Sequence, residues 1–168
     1  MNINLRVILV LLLCLVLSVL ESVAPFLLHL RSARADLLLS VVLYLALHDD
    51  AVQGAALSAA AGYLADLTSA TPACLYTFLA VLTFVVTRTA GSALRTEGGV
   101  QSAAIAFGAS LIHSALAALM LSFVVGGSLT LQIAPLLWSA LGTAIAAPAV
   151  FFALRRIDSA FLPAERGI

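Results

Sequence analysis

The sequence predicts an all-α polytopic membrane protein with six transmembrane helices and both termini in the cytoplasm. Of its 168 residues, 63% are hydrophobic and only 10% are charged, an apolar share well above that of a soluble domain. Residues 98–154 contain no Asp, Glu, Lys or Arg, and a run of that length holds two spans of about 20 residues each. We therefore expect a single integral membrane domain over residues 1–168.

Composition also narrows the function classes. Eight basic and eight acidic residues cancel, so the charge does not indicate a nucleic-acid partner. Cys14 and Cys74 both lie in apolar runs, where lone cysteines behave as small hydrophobic residues. The sequence shows no nucleophile–base–acid motif, no glycine-rich phosphate loop and no metal-ligand spacing. We therefore predict neither an enzyme nor a site for a cofactor or metal.

The first predicted span covers residues 5–24 and ends near Pro25. It loosely resembles a signal peptide, but Pro25 directly after a small residue makes a poor cleavage position, so we expect a retained helix. Glu21 lies fifteen residues after Arg6, which is about 22 Å along a helix axis. This carboxylate is therefore expected near the far interface.

The second and third predicted spans, residues 36–47 and 51–67, are short for about 30 Å of hydrocarbon. Local bilayer thinning or contact with neighbouring helices accommodates such short helices. The alternative is a re-entrant pair over residues 37–66, which would bury the charged turn at 48–50 in the membrane at a large energetic cost. We favour two short crossing helices.

The last three predicted spans are residues 72–91, 100–125 and 131–154. Thr71 can cap the first of these helices. Pro72 suits the first helical position, where no backbone N–H is needed.

The arginines predict the orientation of the bundle. Six crossings place one group of arginines on the same side as both termini: Arg6, Arg88, Arg95, Arg155, Arg156 and Arg166. Arg31 and Arg34 fall on the opposite side. The positive-inside rule makes the side with six arginines cytoplasmic.

A stripe of small residues on the third span ends in a carboxylate. Gly54, Ser58, Gly62 and Asp66 recur at every fourth position, so on a helix they lie along one side. Small residues let another backbone come close, which is how membrane helices associate. The stripe therefore predicts a surface for helix packing or for a partner. We expect Gly62→Leu to disrupt this surface and Gly62→Ala to be mild.

A second stripe follows the fifth span at the same spacing: Ala106, Ser110, Ser114, Ala118, Ser122 and Gly126. Such a stripe serves helix contacts inside the subunit or between two copies of the chain. We favour contacts inside the subunit, with a homodimer as the alternative.

Polar residues within the spans give two further hypotheses. His113 sits near the centre of the fifth span, and an ionisable group at the midplane is a functional hypothesis by default. The structural alternative, which we favour, is a neutral imidazole bonded to a neighbouring hydroxyl or carbonyl. Near the outer interface, we expect one polar cluster of charged side chains: Glu21, Arg31, Arg34, Asp36 and Asp66.

A family resemblance is carried by an acidic residue before an apolar run, a glycine-containing helix, a Gly-x-x-x-Asp motif and a Ser-x-x-Pro turn. These pieces are residues 36–39, 44–47, Gly54, 62–66 and 69–72. Through them the segment 36–78 resembles the rod shape-determining protein MreD family. Ala35 stands where that family usually has proline, and Ala70 and Cys74 stand where it often has glycine.

The resemblance implies a non-enzymatic subunit of the bacterial cell-elongation machinery in the inner membrane, surrounded by membrane lipid. It implies MreC, a single-span protein with a periplasmic domain, as the partner. Through MreC the chain would connect indirectly to MreB, to RodA and to the elongation penicillin-binding transpeptidase. The family fold is also similar to the substrate-binding subunits of energy-coupling-factor transporters. That similarity gives the alternative function, a small-solute-binding transporter subunit, which would need polar and aromatic residues converging on an outward cavity.

Overall fold

Six helices make up the part of the chain that the computed structural model describes, which is residues 3–27, 36–69, 74–90, 99–125 and 133–161. In chain order the helices are α1 (Ile3–Leu27), α2 (Leu37–His48), α3 (Ala51–Thr68), α4 (Leu75–Ala90), α5 (Gly99–Val125) and α6 (Ile133–Phe161). The prediction of an all-helical chain is confirmed for these residues.

Among the residues that the structure describes, three helices are long and apolar enough to cross a membrane. The qualifying stretches are Leu5–Val23 in α1, Gln101–Met120 in α5 and Leu136–Ala160 in α6. Helices α2 and α4 are also apolar but shorter. At about 1.5 Å per residue, the 12 residues of α2 extend only about 18 Å.

The short helix α2 forms the centre of the bundle. It contacts each of the other five helices, and these form a ring in the order α1, α3, α4, α5, α6, with α6 returning to α1. Every residue from Leu38 to Ala46 is buried, as expected of a helix that is apolar on all sides. Protein therefore surrounds α2 in place of lipid, which explains how so short an apolar helix is accommodated.

Three helix boundaries differ from the sequence prediction. Helix α1 continues through Pro25 to Leu27, so this proline lies in the last turn and does not end the helix at residue 24. Helix α4 begins at Leu75 rather than at Pro72, which lies outside the described residues together with Thr71. Cys74, directly before α4, has a φ of 69°, a left-handed conformation that a continuing α-helix does not contain. Helix α6 continues to Phe161 instead of ending at residue 154, because arginine is a good helix former.

Candidate functional site

Asp66, at the end of the small-residue stripe, caps the start of α4. Its Oδ1 accepts the backbone N–H of Tyr76 at 2.8 Å, and its Oδ2 accepts the backbone N–H of Thr77 at 3.0 Å and the Thr77 hydroxyl at 2.6 Å. The first N–H groups of a helix have no partner within that helix. Here a carboxylate from α3 accepts two of these N–H groups. The sequence had suggested Thr71 for this capping role.

Gly62 brings α4 into backbone contact with α3. A Cβ atom at this position would lie 2.7 Å from the Thr77 Cα, 2.7 Å from the Tyr76 carbonyl oxygen and 2.8 Å from the Ala80 Cβ. Two of these atoms belong to the backbone and cannot rotate away. The expectation that Gly62→Ala is mild is therefore wrong, because even one methyl group requires the helices to separate.

The rest of the stripe also faces α4. A Cβ at Gly54 would lie 2.7 Å from a ring carbon of Phe84, and Ser58, between the two glycines, is fully buried. Of the two predicted uses of the stripe, helix packing within the chain is the one that this geometry supports. Helix α4 covers the stripe and occupies the groove that a partner helix would need.

Cys74 shows why glycine suits the start of α4. Its φ of 69° lies in the left-handed region, which glycine adopts without the steric cost that a Cβ imposes. Glycine at this position, which the family resemblance often has, would adopt the same conformation without strain.

Two carboxylates cap the start of the central helix. Glu21 on α1 accepts the backbone N–H groups of the first two residues of α2, and the Oδ1 of Asp36 accepts that of the third at 2.9 Å. Glu21 and Asp36 thus come together, as the predicted outer cluster required. Of the other three predicted members, Asp66 caps α4, and Arg31 and Arg34 lie outside the described residues.

The start of α2 lies well inside the bundle. The backbone N–H of Asp36 donates to the Thr143 hydroxyl at 2.8 Å, and Thr143 follows Ile133, the first residue of α6, by about 15 Å along the helix axis. The Thr143 hydroxyl in turn donates to the Ser139 carbonyl at 3.0 Å. The start of α2 therefore lies beside the middle of α6, because α2 is shorter than the helices around it.

His113 joins these elements. Its Nε2 lies 3.7 Å from the Asp36 Oδ2, its Nδ1 lies 3.3 Å from the Thr83 Oγ1, and its ring stacks on Tyr76 with 6.3 Å between centroids. The side chain is only 7% exposed. Thr83 is the neighbouring hydroxyl that the favoured interpretation required, whereas the carboxylate partner was not foreseen.

Tyr76 connects the two halves of this site, since its ring stacks on His113 and its backbone N–H binds Asp66. We call the whole set the outer polar cluster, defined by Glu21, Asp36, Asp66, Tyr76, Thr83, His113 and Thr143. It links the acidic residue that opens the 36–78 segment with the aspartate of the Gly-x-x-x-Asp motif.

An ion cluster at the opposite end of α2 was not predicted. The Arg6 guanidinium contacts the Asp49 Oδ1 at 2.7 Å and the Asp158 Oδ1 at 2.7 Å, and the Tyr44 hydroxyl donates to the Asp158 Oδ2 at 2.7 Å. The guanidinium of Arg88 donates to the Asp49 carbonyl. These contacts join α1, the α2–α3 turn, α4 and α6, and we call the set the inner ion cluster.

A sequence signal for this cluster did exist. Arg6 opens an apolar span, and a charge held within a membrane bundle needs a partner. The partner was missed because Asp158 follows the predicted end of the last span, and only the continuation of α6 to Phe161 carries it back to α1.

The geometry of both clusters favours a role in positioning the helices over a role in catalysis or metal binding. In the outer polar cluster the carboxylates of Glu21, Asp36 and Asp66 all accept backbone N–H groups at helix starts. Within the described ranges, no group of three or more His, Cys, Asp or Glu side chains could hold a metal ion. The clusters therefore fix where α2 and α4 begin and how the ring closes around α2.

Comparison with known protein families identifies a match to this chain. The family model described as rod shape-determining protein MreD covers residues 1–157, which extends far beyond the segment 36–78. No curated protein and no solved structure matches the chain.

Proposed function

We propose that this chain, which belongs to the MreD family of rod shape-determining proteins, is a non-enzymatic membrane scaffold subunit of the bacterial cell-elongation machinery and binds MreC. The observation that carries the proposal is the family match over residues 1–157. Membership indicates a role in rod-shape determination and places the chain among membrane proteins. The scaffold role and the contact with MreC are proposals that go beyond family membership.

The outer polar cluster supports a scaffold. A transporter subunit that binds a small solute would direct free polar groups into an outward cavity, because buried ligand groups must be matched by hydrogen bonds. In this chain the carboxylates of Glu21, Asp36 and Asp66 are already bound to backbone N–H groups. This use of the acidic residues favours the scaffold over the solute-binding alternative.

We further propose that all six helices cross the inner membrane and that both termini are cytoplasmic. The contact between Arg6 and Asp158 brings the start of α1 and the end of α6 to the same end of the bundle. Arg88 contacts Asp49 at that end as well, and Arg155 and Arg156 precede Asp158 on α6. Such a concentration of arginines marks the cytoplasmic side.

The proposed partner would bind an outward face of the bundle, because α4 already covers the stripe on α3. Large apolar side chains point away from the bundle on several helices, among them Ile8, Leu12, Ile112 and Phe152. Lipid or the span of MreC would cover these side chains. Through MreC the subunit would connect to MreB, RodA and the penicillin-binding transpeptidase.

Depletion of this chain in its source bacterium tests the proposed function. We expect rods to become round as the chain is lost, and a plasmid copy to restore the rod shape. A plasmid copy that carries Gly108→Ala serves as a control. It should restore the rod shape as the native copy does, since a Cβ at Gly108 would meet nothing within 4 Å. Depleted cells that stay rod-shaped, and instead require a particular solute for growth, would favour the transporter alternative.

A further inference from the structure

Two apolar helices of the bundle, α2 and α4, are short for a bilayer whose hydrocarbon is about 30 Å thick. They occupy different places. Other helices enclose α2, whereas α4 belongs to the outer ring. Three large apolar side chains of α4 are about half exposed, and these are Phe78, Val85 and Val86. The surrounding protein compensates for the short length of α2, but for α4 this falls to the bilayer.

The polar ends of α4 lie closer together than the two edges of the hydrocarbon. Its 16 residues extend about 24 Å. At the outer end, the Asp66 carboxylate binds the N–H of Tyr76. At the inner end, Arg88 donates to the Asp49 carbonyl. The rise from Tyr76 to Arg88 is about 18 Å, so α4 is shorter than the hydrocarbon by about 6–12 Å.

The missing length lies on the outer side. The inner ion cluster joins α1, α4, α6 and the start of α3 at one level. Beyond the outer polar cluster, α1 continues about 9 Å past Glu21 and α5 about 18 Å past His113, and α6 begins about 15 Å before Thr143. Helix α4 instead begins directly before Tyr76, and α3 ends just after Asp66. The α3–α4 side of the bundle is therefore lower than the other sides.

Cys74 gives a second, independent indication of where the outer interface lies. It is exposed, and its left-handed φ of 69° interrupts the helical backbone directly before α4. Irregular backbone that faces lipid does not occur within the hydrocarbon, because its polar groups would lack hydrogen-bond partners there. The headgroup region of the outer leaflet must therefore reach down to the height of Cys74.

We propose that the outer leaflet of the membrane is thinned where it meets α4, so that the α3–α4 side of the bundle contacts a thinner bilayer than the opposite side at α6. Local thinning is one of the ways in which a short span is accommodated. The outward face of α4 is thus a surface for phospholipid acyl chains. This inference rests on the proposed crossing of α4 and does not depend on MreC.

Spin labels on the full chain, reconstituted into vesicles of dioleoylphosphatidylcholine, measure the depth of each face. Cys14→Ala and Cys74→Gly remove the native thiols. Single labelled cysteines then replace Phe78 on α4 and Ile145 on α6, both of which are exposed. Each lies about 3 Å to the inner side of the outer polar cluster, following Tyr76 and Thr143 respectively. The two labels therefore have the same height in the protein.

Collisions of each label with dissolved oxygen and with a water-soluble nickel complex report its depth. A flat bilayer gives equal depths, whereas thinning places the Phe78 label nearer to the outer headgroups by about 6 Å or more, the amount by which α4 is too short. Labels at Val86 and Phe152, near the inner ends of α4 and α6, form the control pair. Their depths should agree within about 3 Å, which follows from their positions along the two helices.

Vesicles of dimyristoleoylphosphatidylcholine provide a second test, because their thinner hydrocarbon already matches α4. The difference between the Phe78 and Ile145 labels should disappear in these vesicles. A difference of the same size in both lipids would contradict thinning.

Equal depths in dioleoylphosphatidylcholine, with both labels shielded from nickel, would overturn the thinning and leave the six crossings intact. A Phe78 label that is immobilised and shielded from oxygen would also overturn it, since another protein surface would then cover α4. Labels at Phe78 and Val86 that both collide freely with nickel would show that α4 does not cross, which would overturn the six crossings as well.

Discussion

Two hydrogen bonds join Asp66 and Thr77. One carboxylate oxygen of Asp66 accepts both the backbone N–H of Thr77 at 3.0 Å and its hydroxyl at 2.6 Å. The other oxygen accepts the N–H of Tyr76. One side chain from α3 thus fixes the position at which α4 starts. The same principle recurs at α2, whose first N–H groups bind carboxylates from Glu21 and Asp36.

The first prediction concerns this cap. Asp66→Asn keeps one acceptor oxygen but turns an amide N–H₂ toward a donor, so we expect a loss of about 1–3 kcal/mol in the free energy of unfolding. Asp66→Leu, which leaves several donors unpaired, should lose more. Chemical denaturation of the purified protein in detergent measures both. Asp50→Asn is the matched control, because Asp50 is exposed and its side chain makes no cap hydrogen bond.

The outcome for Asp66 also separates two roles. If Asp66→Asn proves as severe as Asp66→Leu, the negative charge itself is needed, as pairing with Arg31 or Arg34 would require. If Asp66→Leu is as stable as the native protein, the cap does not hold α4.

The second prediction compares two helical glycines. Gly62→Ala is expected to destabilise the fold by about 1–3 kcal/mol, the usual cost of overpacking, because the new methyl meets backbone atoms of α4. Gly108→Ala meets nothing within 4 Å and should stabilise α5 by up to about 1 kcal/mol through its helix propensity. Thermal unfolding in detergent, followed by circular dichroism, compares the two. Equal melting temperatures would contradict the close contact at Gly62.

The third prediction concerns the inner ion cluster. Arg6→Leu leaves the carboxylates of Asp49 and Asp158 without their cation in a site where the Arg6 side chain is only 8% exposed. We expect a loss of about 3–5 kcal/mol, as for other broken buried ion pairs. Tyr44→Phe removes one hydrogen bond and should cost only about 1 kcal/mol. The exposed Arg156 provides the control, Arg156→Leu, whose stability should be close to native.

The fourth prediction tests the topology. In a background without Cys14 and Cys74, a cysteine placed at Thr96 should react with a membrane-impermeant thiol reagent from the cytoplasmic side. A cysteine at Ser128 should react from the periplasmic side. The reagent is added to intact spheroplasts and to inverted vesicles, which expose opposite faces. Reaction of both cysteines from the same side would contradict six crossings.

Much of the helical pattern follows from the sequence, because apolar runs and turn residues set helix positions locally. The third predicted span, 51–67, nearly coincides with α3 at Ala51–Thr68. The end of α6 could not be predicted from hydropathy, which changes at Arg155 although the helix continues. Likewise, Thr71 and Pro72 formed a convincing local helix start, but a carboxylate from another helix caps α4 from Leu75 onward.

The sequence predicted which residues belong to the outer polar cluster better than it predicted how they are arranged. Glu21, Asp36, Asp66 and His113 were all candidates, and the structure connects them through Tyr76 and the starts of α2 and α4. Their depths could not be derived, because a sequence does not reveal that a short helix will be enclosed by five others. The pair of Arg6 and Asp158, separated by almost the whole chain, is a purely tertiary contact.

Recovery of MreC with the affinity-tagged chain, after gentle detergent extraction of membranes from the source bacterium, tests the scaffold role most directly. We predict that MreC co-purifies with the native chain and with Gly108→Ala, and that much less is recovered with Gly62→Leu at matched membrane abundance. An unrelated tagged protein with six transmembrane helices sets the background. Recovery of MreC at that background level with the native chain would contradict the account.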